Sequence, residues 1–213
     1  MKMIITKALG LVMGAFILMA LGACRVDLDH EIWLNTDDSG RAKLVFKINF
    51  PRVSEEDAMD LGEEDNALEN MAEKVRNVPG AKVIALEKST NHTDEDYNFT
   101  YSLELSFDTP QDLQKALCIY PDHGISLEKT KGSKTLVIDT RMLEMQDKAG
   151  MDEFSEYIDM FNVYLSVKLN LPDKPSEIGK EPDYTADKKM VRWEIEADSD
   201  YYSQEANLLT VKY

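Results

Sequence analysis

Thiols, imidazoles and paired carboxylates are the groups through which this sequence could do chemistry. There are two cysteines, Cys24 and Cys118, and three histidines, His30, His92 and His123. Cys118 stands between Leu117 and Ile119 in a stretch of helical periodicity, where a buried, inert thiol is expected. A nucleophilic cysteine needs a base, and His123 lies beyond Pro121 with nothing to bring the two together. The histidines show neither i, i+4 spacing nor cysteine partners, so no zinc site is expected. His30 falls on the apolar side of an alternating run, the place of a core histidine. Asp94, Asp96 and Asn98 have the spacing that opens a calcium loop, but Phe99 occupies the position of the turn glycine and no glutamate closes the loop. A charged hairpin loop is the simpler reading. The sequence contains no G-x-S-x-G, no G-x-x-x-x-G-K and no G-x-G-x-x-G. No catalytic residue, cofactor or metal is therefore expected, and the chain is read as a non-enzyme.

Cys24 is different because of what precedes it. Lys2 and Lys7 lead into an uncharged run from Ala8 to Cys24, the basic start and apolar middle of an export signal. The run ends Leu21-Gly22-Ala23-Cys24, which resembles the bacterial lipobox, where a cysteine after small residues is joined to diacylglycerol and becomes the first mature residue. Cleavage after Gly22 by ordinary signal peptidase, or retention of the segment as an uncut helix, are the competing readings. The expected organisation is a lipoprotein signal peptide over 1–23 and one extracytoplasmic domain over 24–213, lipidated at Cys24. Acyl chains contribute about 0.8 kcal/mol per buried CH₂, so two or three hold a soluble domain at a bilayer without a spanning helix. Arg25 follows the cysteine in place of the acidic residue associated with inner-membrane retention, which favours the outer membrane.

The formal net charge is −16, and loss of Lys2 and Lys7 makes the remainder more negative still. Nucleic acid and anionic headgroups both demand basic patches, so neither is an expected partner of this surface. Attachment to a membrane falls to the lipid.

The elements that position these groups follow from periodicity. Val26, Leu28, His30, Ile32 and Leu34 alternate with polar residues, as do Ala42, Leu44, Phe46, Ile48 and Phe50, which predicts a hairpin around Asn35–Gly40. Ser54 and Asp57 resemble a capping box, and Leu68, Met71, Ala72 and Val75 predict a helix that Pro79-Gly80 ends. The acidic stretch from Glu55 to Asp65 reads as a solvated face. Lys82–Lys88 pairs with Tyr97–Phe107 in a second hairpin. Thr109 then offers an N-cap, with Pro110 at the first helical position and Leu113, Ala116 and Leu117 on the buried stripe. A third hairpin crosses Lys131-Gly132-Ser133. Met151, Phe154, Tyr157 and Ile158 predict another helix over 151–160, after Met142 and Met145, which are read as core filler. Strands follow at 161–171 and 191–197, with a polar loop between them and a last short strand at 209–213. Strands joined by short turns pair antiparallel, and their single apolar faces need covering. The expected fold class is α+β: a curved, mainly antiparallel sheet of hairpins packed against about three helices.

Three short segments carry a family likeness. The strand ending Leu169-Asn170-Leu171-Pro172, followed by a polar loop and Val191-Arg192-Trp193, the turn Asn35-Thr36-Asp37-Asp38-Ser39-Gly40, and Phe107-Asp108-Thr109 opening a helix together resemble the LppM-like bacterial lipoprotein domain. The resemblance implies an α+β envelope domain whose mycobacterial namesake is associated with lipid or glycolipid binding, and it offers no catalytic residues. Members of that family commonly keep a C-terminal membrane helix, which this sequence does not show up to Tyr213.

Two functions are consistent with these features. One is a lipid-tethered binding module that takes a lipid, glycolipid or other amphiphile on the apolar face of its sheet. The other is an assembly lipoprotein that meets a second envelope protein through its acidic surface or an open strand edge.

Overall fold

A computed structural model describes residues 24–51, 67–92, 96–117, 124–140, 161–186, 189–197 and 208–213. Alternation dominates these segments, and so do strands. In chain order they are β1 (Cys24–Leu34), β2 (Gly40–Pro51), α1 (Ala67–Arg76), β3 (Ala81–His92), β4 (Asp96–Phe107), α2 (Pro110–Leu117), β5 (Ile125–Thr130) and β6 (Ser133–Asp139). After these come β7 (Phe161–Asn170), β8 (Glu177–Ile178), β9 (Tyr184–Ala186), β10 (Met190–Ala197) and β11 (Leu208–Lys212). They form a seven-stranded sheet in the order β3-β4-β2-β1-β7-β10-β9 and a four-stranded sheet in the order β5-β6-β11-β8.

The α+β expectation is thereby corrected: among the described residues the protein is mostly β, with two short helices and a second sheet where helices were expected to supply the cover. The physical reason is that Ile125, Leu136, Ile138, Leu209 and Val211, all within 1% of complete burial, present a second alternating apolar face. A sheet can be covered by another sheet as well as by helices. The helix expected over 151–160, Met142, Met145, the Ser54 cap and the acidic stretch lie outside the described residues.

All three expected hairpins form. Leu28 pairs with Phe46 and Ile32 with Ala42 across β1 and β2, Leu86 with Leu103 across β3 and β4, and Leu127 with Leu136 across β5 and β6. Hairpin logic did not foresee the parallel pairing of β1 with β7, which runs from Cys24 opposite Phe161 to Trp33 opposite Asn170. It places β1 in the middle of the large sheet. One face of that sheet carries the core, in which Leu34, Phe107, Leu169 and Trp193 pack with the second sheet and with Ala72, Val75, Leu113 and Ala116 of the helices.

Local chemistry sets the joints. Thr109 caps α2: its Oγ1 accepts the Asp112 N–H at 3.2 Å and donates to Asp112 Oδ2 at 2.7 Å, an arrangement worth about 1 kcal/mol. In α1 the buried stripe is narrower than expected, since Ala72 and Val75 are fully buried but Met71 is 37% exposed. A bulge between Val83 and Ala85 turns Ile84 outward, 51% exposed, and keeps Leu86 in line with Leu103.

Candidate functional site

Register assigns the faces of the large sheet. Val26, Leu28, His30, Ile32 and Leu34 of β1 stand opposite Ile48, Phe46, Leu44, Ala42 and Gly40 of β2, and the same row continues through Val163, Leu165, Val167 and Leu169 of β7. Within this row on β1, β2, β7 and β10, His30 is the one polar residue. It lies between Leu44 and Val167, where a core histidine was expected. Burial drives its pKa down to about 4, an effect that the nearby Asp29 only partly offsets. At neutral pH the ring is uncharged.

Burial is uneven along this apolar face. At the turn end of the first hairpin, Ile32, Leu34 and Ala42 are 3%, 6% and 1% exposed. Towards the Cys24 end, Val26, His30, Leu44, Phe46 and Ile48 are only half-buried, although Leu28 among them and their neighbours on β7 are closed off. Tyr97, Phe99 and Tyr101 of β4 flank this strip as an aromatic row, with the Phe99 and Tyr101 rings parallel at 6.4 Å and Phe46 6.3 Å from Tyr101. The result is an apolar strip with one neutral, two-nitrogen polar group within it. Such a surface suits an aliphatic body and a single hydrogen-bonding group.

The opposite face is polar, and its charges are matched. Lys47 meets Asp29 at 2.7 Å, Lys168 meets Glu31 at 2.6 Å, Arg192 meets Glu194 at 2.6 Å, and Arg41 reaches Glu104 at 3.4 Å. Arg25 pairs with Asp27 at 2.9 Å while its guanidinium lies 4.4 Å from the centre of the Tyr164 ring, and Arg41 lies 5.2 Å from that of Trp33. These pairs neutralise one another locally.

The other candidates separate. Cys24 is the first residue of β1, in register with Phe161. His92 closes β3 opposite Tyr97, and the backbones of Asp96 and Asn98 belong to β4, not to a loop. Asn98 accepts a hydrogen bond from Asn49 at 2.7 Å. Asp94, Cys118 and His123 lie outside the described residues. No group of three or more metal-ligating side chains, and no helix long and apolar enough to cross a membrane, is found among the described residues.

Sequence reasoning missed one cluster. Asp38, in the β1–β2 turn, is 5% exposed and receives Lys129 at 2.6 Å and Lys134 at 2.5 Å from the β5–β6 hairpin. Burial pushes its carboxyl up, but the two lysines outweigh that and hold it below the usual value. Nearby, the buried Tyr213 hydroxyl has no hydrogen-bond partner among the described residues, and burial, with Asp38 and Asp173, pushes its pKa up to about 12. The only sequence signal was the Asn35–Gly40 turn itself, which says nothing about lysines some 90 residues away.

No protein-family description matches this chain, and no curated protein matches it. Among solved structures it is similar to the NMR structure of the folded domain of the Mycobacterium tuberculosis LppM protein, at 11% identity and a TM-score of 0.44, over 90% of this chain and 91% of that one.

Proposed function

We propose that this chain is a lipid-anchored protein of the bacterial envelope that binds an amphiphile without chemical turnover. The anchor is a thioether lipid on Cys24, supported by Leu21-Gly22-Ala23-Cys24 at the end of an uncharged run. The binding surface is the strip formed by Val26, His30, Leu44, Phe46 and Ile48. One observation carries this reading: along the paired β1 and β2 strands these residues are only half-buried, although Leu28 among them is closed off and Val26, Leu44 and Phe46 pack against the core. Apolar area left in contact with water forgoes about 25 cal/mol per Å², which a lipid tail laid along the strip would recover.

The test uses residues 24–213 with Cys24→Ser, made without the signal. Binding of a fluorescent-tailed phosphatidylcholine, used below its aggregation concentration, is followed by anisotropy, with native mass spectrometry for retained lipid. The expected result is saturable binding that Leu44→Gln weakens about tenfold while a melting curve shows the fold intact. A protein that emerges bare and leaves the probe's anisotropy unchanged sinks the reading. For the anchor, Cys24→Ser in the full chain is expected to abolish acyl labelling and release the protein from membranes.

A second reading, assembly with another envelope protein, draws support from β3. This 12-residue strand is one edge of the large sheet and shows Ile84, 51% exposed, at its bulge. An open edge recruits a partner strand, and charges and bulges are the devices that discourage it. Lys82, Glu87 and Lys88 along with the bulge place β3 among discouraged edges, so the amphiphile reading is preferred.

A further inference from the structure

The anchor and the fold meet without a spacer. β1 begins at Cys24, and Arg25 is already paired with Asn49 on one side and Asn162 on the other. Arg25 is fixed further by Asp27, at 2.9 Å from its Nε, and by its position over the Tyr164 ring. A strand advances about 3.3 Å per residue, whereas the headgroup layer of one leaflet is about 5–7 Å thick. A lipid on Cys24 would therefore bring the start of the central strand of the seven-stranded sheet into or against the headgroups.

We infer that the Cys24 end of this sheet is a membrane-docking surface, and that the half-buried apolar strip takes its ligand from the bilayer and not from water. This rests on the anchor and binding reading above. The strip supports it independently, because it occupies the same end. Residue 24 is in phase with Val26 and Leu28, so the apolar row runs unbroken from the anchor point towards His30. The turn at Asn35–Gly40, with Asp38 and Gly40 buried, and the β5–β6 hairpin, tied to it through Asp38 and Lys134, lie at the far end.

Register supplies two reporters. Asn91 is exposed and is level with Arg25 through Asn98 and Asn49. Thr36 is exposed beyond Leu34, about 30 Å further along the strands. The lipidated full chain, with Cys118→Ser and a fluorophore on either Asn91→Cys or Thr36→Cys, is reconstituted in phosphatidylcholine vesicles carrying a headgroup nitroxide. A zwitterionic bilayer keeps the lipidated domain's net charge, −18 once Lys2 and Lys7 are removed from the −16 of the whole sequence, from opposing contact. Quenching at position 91 is expected to exceed that at position 36 at least threefold. Inserting about twenty Gly/Ser residues between Cys24 and Arg25 gives a tether of about 25 Å r.m.s. span and is expected to erase the difference. The same insertion should slow transfer of the fluorescent lipid from vesicles about tenfold, while its binding from water stays unchanged.

Equal quenching at the two positions, or a pattern indifferent to the spacer, overturns the inference. Intact mass measured on the same samples separates the failures: an acyl mass with equal quenching refutes docking alone, whereas a missing acyl mass refutes the anchor and docking together. Loss of probe binding by the soluble domain refutes ligand capture and leaves the quenching comparison to judge the orientation.

Discussion

Lys129 Nζ lies 2.6 Å from Asp38 Oδ2, which joins the β5–β6 hairpin of one sheet to the β1–β2 turn of the other. Asp38 adopts φ 72°, in the left-handed region that asparagine and aspartate tolerate better than other side chains, so Asp38→Asn preserves the backbone and removes only the charge. Because the carboxylate is buried and bonded to both Lys129 and Lys134, this substitution is expected to cost about 2–4 kcal/mol. By contrast, Asp29→Asn at the exposed pair with Lys47 is expected to cost less than about 1 kcal/mol. Urea denaturation of the two variants checks the ranking, and similar midpoints would show that the Asp38 joint is ornamental. Its contribution has a pH sign: a carboxyl held low stabilises the fold above the unfolded pKa and loses that effect as pH falls through its folded value.

Glycine substitutions separate crowding from backbone conformation. A Cβ on Gly40 would run into the Trp33 carbonyl and come within 2.6 Å of Phe107 Cζ. The first is backbone in a central strand and the second is a fully packed ring, so neither can yield. Gly40→Ala is expected to cost at least about 3 kcal/mol, through overpacking. Gly132, at φ 90° in the β5–β6 turn, has nothing within 4 Å of the added carbon, so Gly132→Ala is expected to cost about 1–2 kcal/mol from conformation alone. Thermal melts of the pair provide the check, with Gly40→Ala the lower by several degrees.

What was legible in the sequence is what depends on neighbours. The hairpins at Asn35–Gly40 and Lys131-Gly132-Ser133 follow from period-two runs on either side of turn residues, and the α2 start follows from Thr109 and Pro110. The parallel partner of β1 was not legible. Val163, Leu165 and Val167 announce a strand with one apolar face, but alternation does not say which edge it joins, and no short turn decides it. β8 and β9, of two and three residues, are too short to have a period, so the segment holding them reads as loop. They form because partners are already in place: the Gly179 N–H donates to the Thr210 carbonyl at 2.9 Å, and Asp183 Oδ2 accepts the Glu194 N–H at 2.7 Å. For the candidate site, phase alone placed His30 on the apolar face. That its surroundings are half-buried depends on how far the second sheet extends, which no local pattern encodes.

The two tryptophans should be spectroscopically distinct. Trp193 is 1% exposed in the core and donates from Nε1 to the Lys180 carbonyl at 3.0 Å, whereas Trp33 lies on the polar face beneath Arg41. Trp33→Phe should leave a blue-shifted emission and cost under about 1 kcal/mol. Trp193→Phe should leave a red-shifted emission and cost about 2–3 kcal/mol, from lost volume and the lost hydrogen bond to the Lys180 carbonyl. Emission spectra with urea titrations check both, and a reversal of the two spectra would contradict the packing.

His30 gives the fold a second, separate sensitivity to acid. Its folded pKa of about 4 lies below the ordinary 6.5, so the unfolded chain takes up a proton that the folded chain refuses. Unfolding is therefore promoted as pH falls from about 6.5 to about 4, by at most about 3 kcal/mol in total, and no further below that range. The carboxyl of Asp38 acts only at lower pH, so the two windows can be told apart. His30→Leu removes the titration and leaves an apolar side chain between Leu44 and Val167. The variant is expected to match or exceed the parent in stability at pH 7, and to lose far less between pH 6.5 and 4.5. Urea midpoints at four pH values across that interval measure this. Parallel slopes for the two proteins would mean that the ring is solvated well enough to ionise in place, and that the strip is more open than its burial indicates. An apolar ligand bound over His30 would close it further and steepen the parent's slope, an effect the His30→Leu protein should lack.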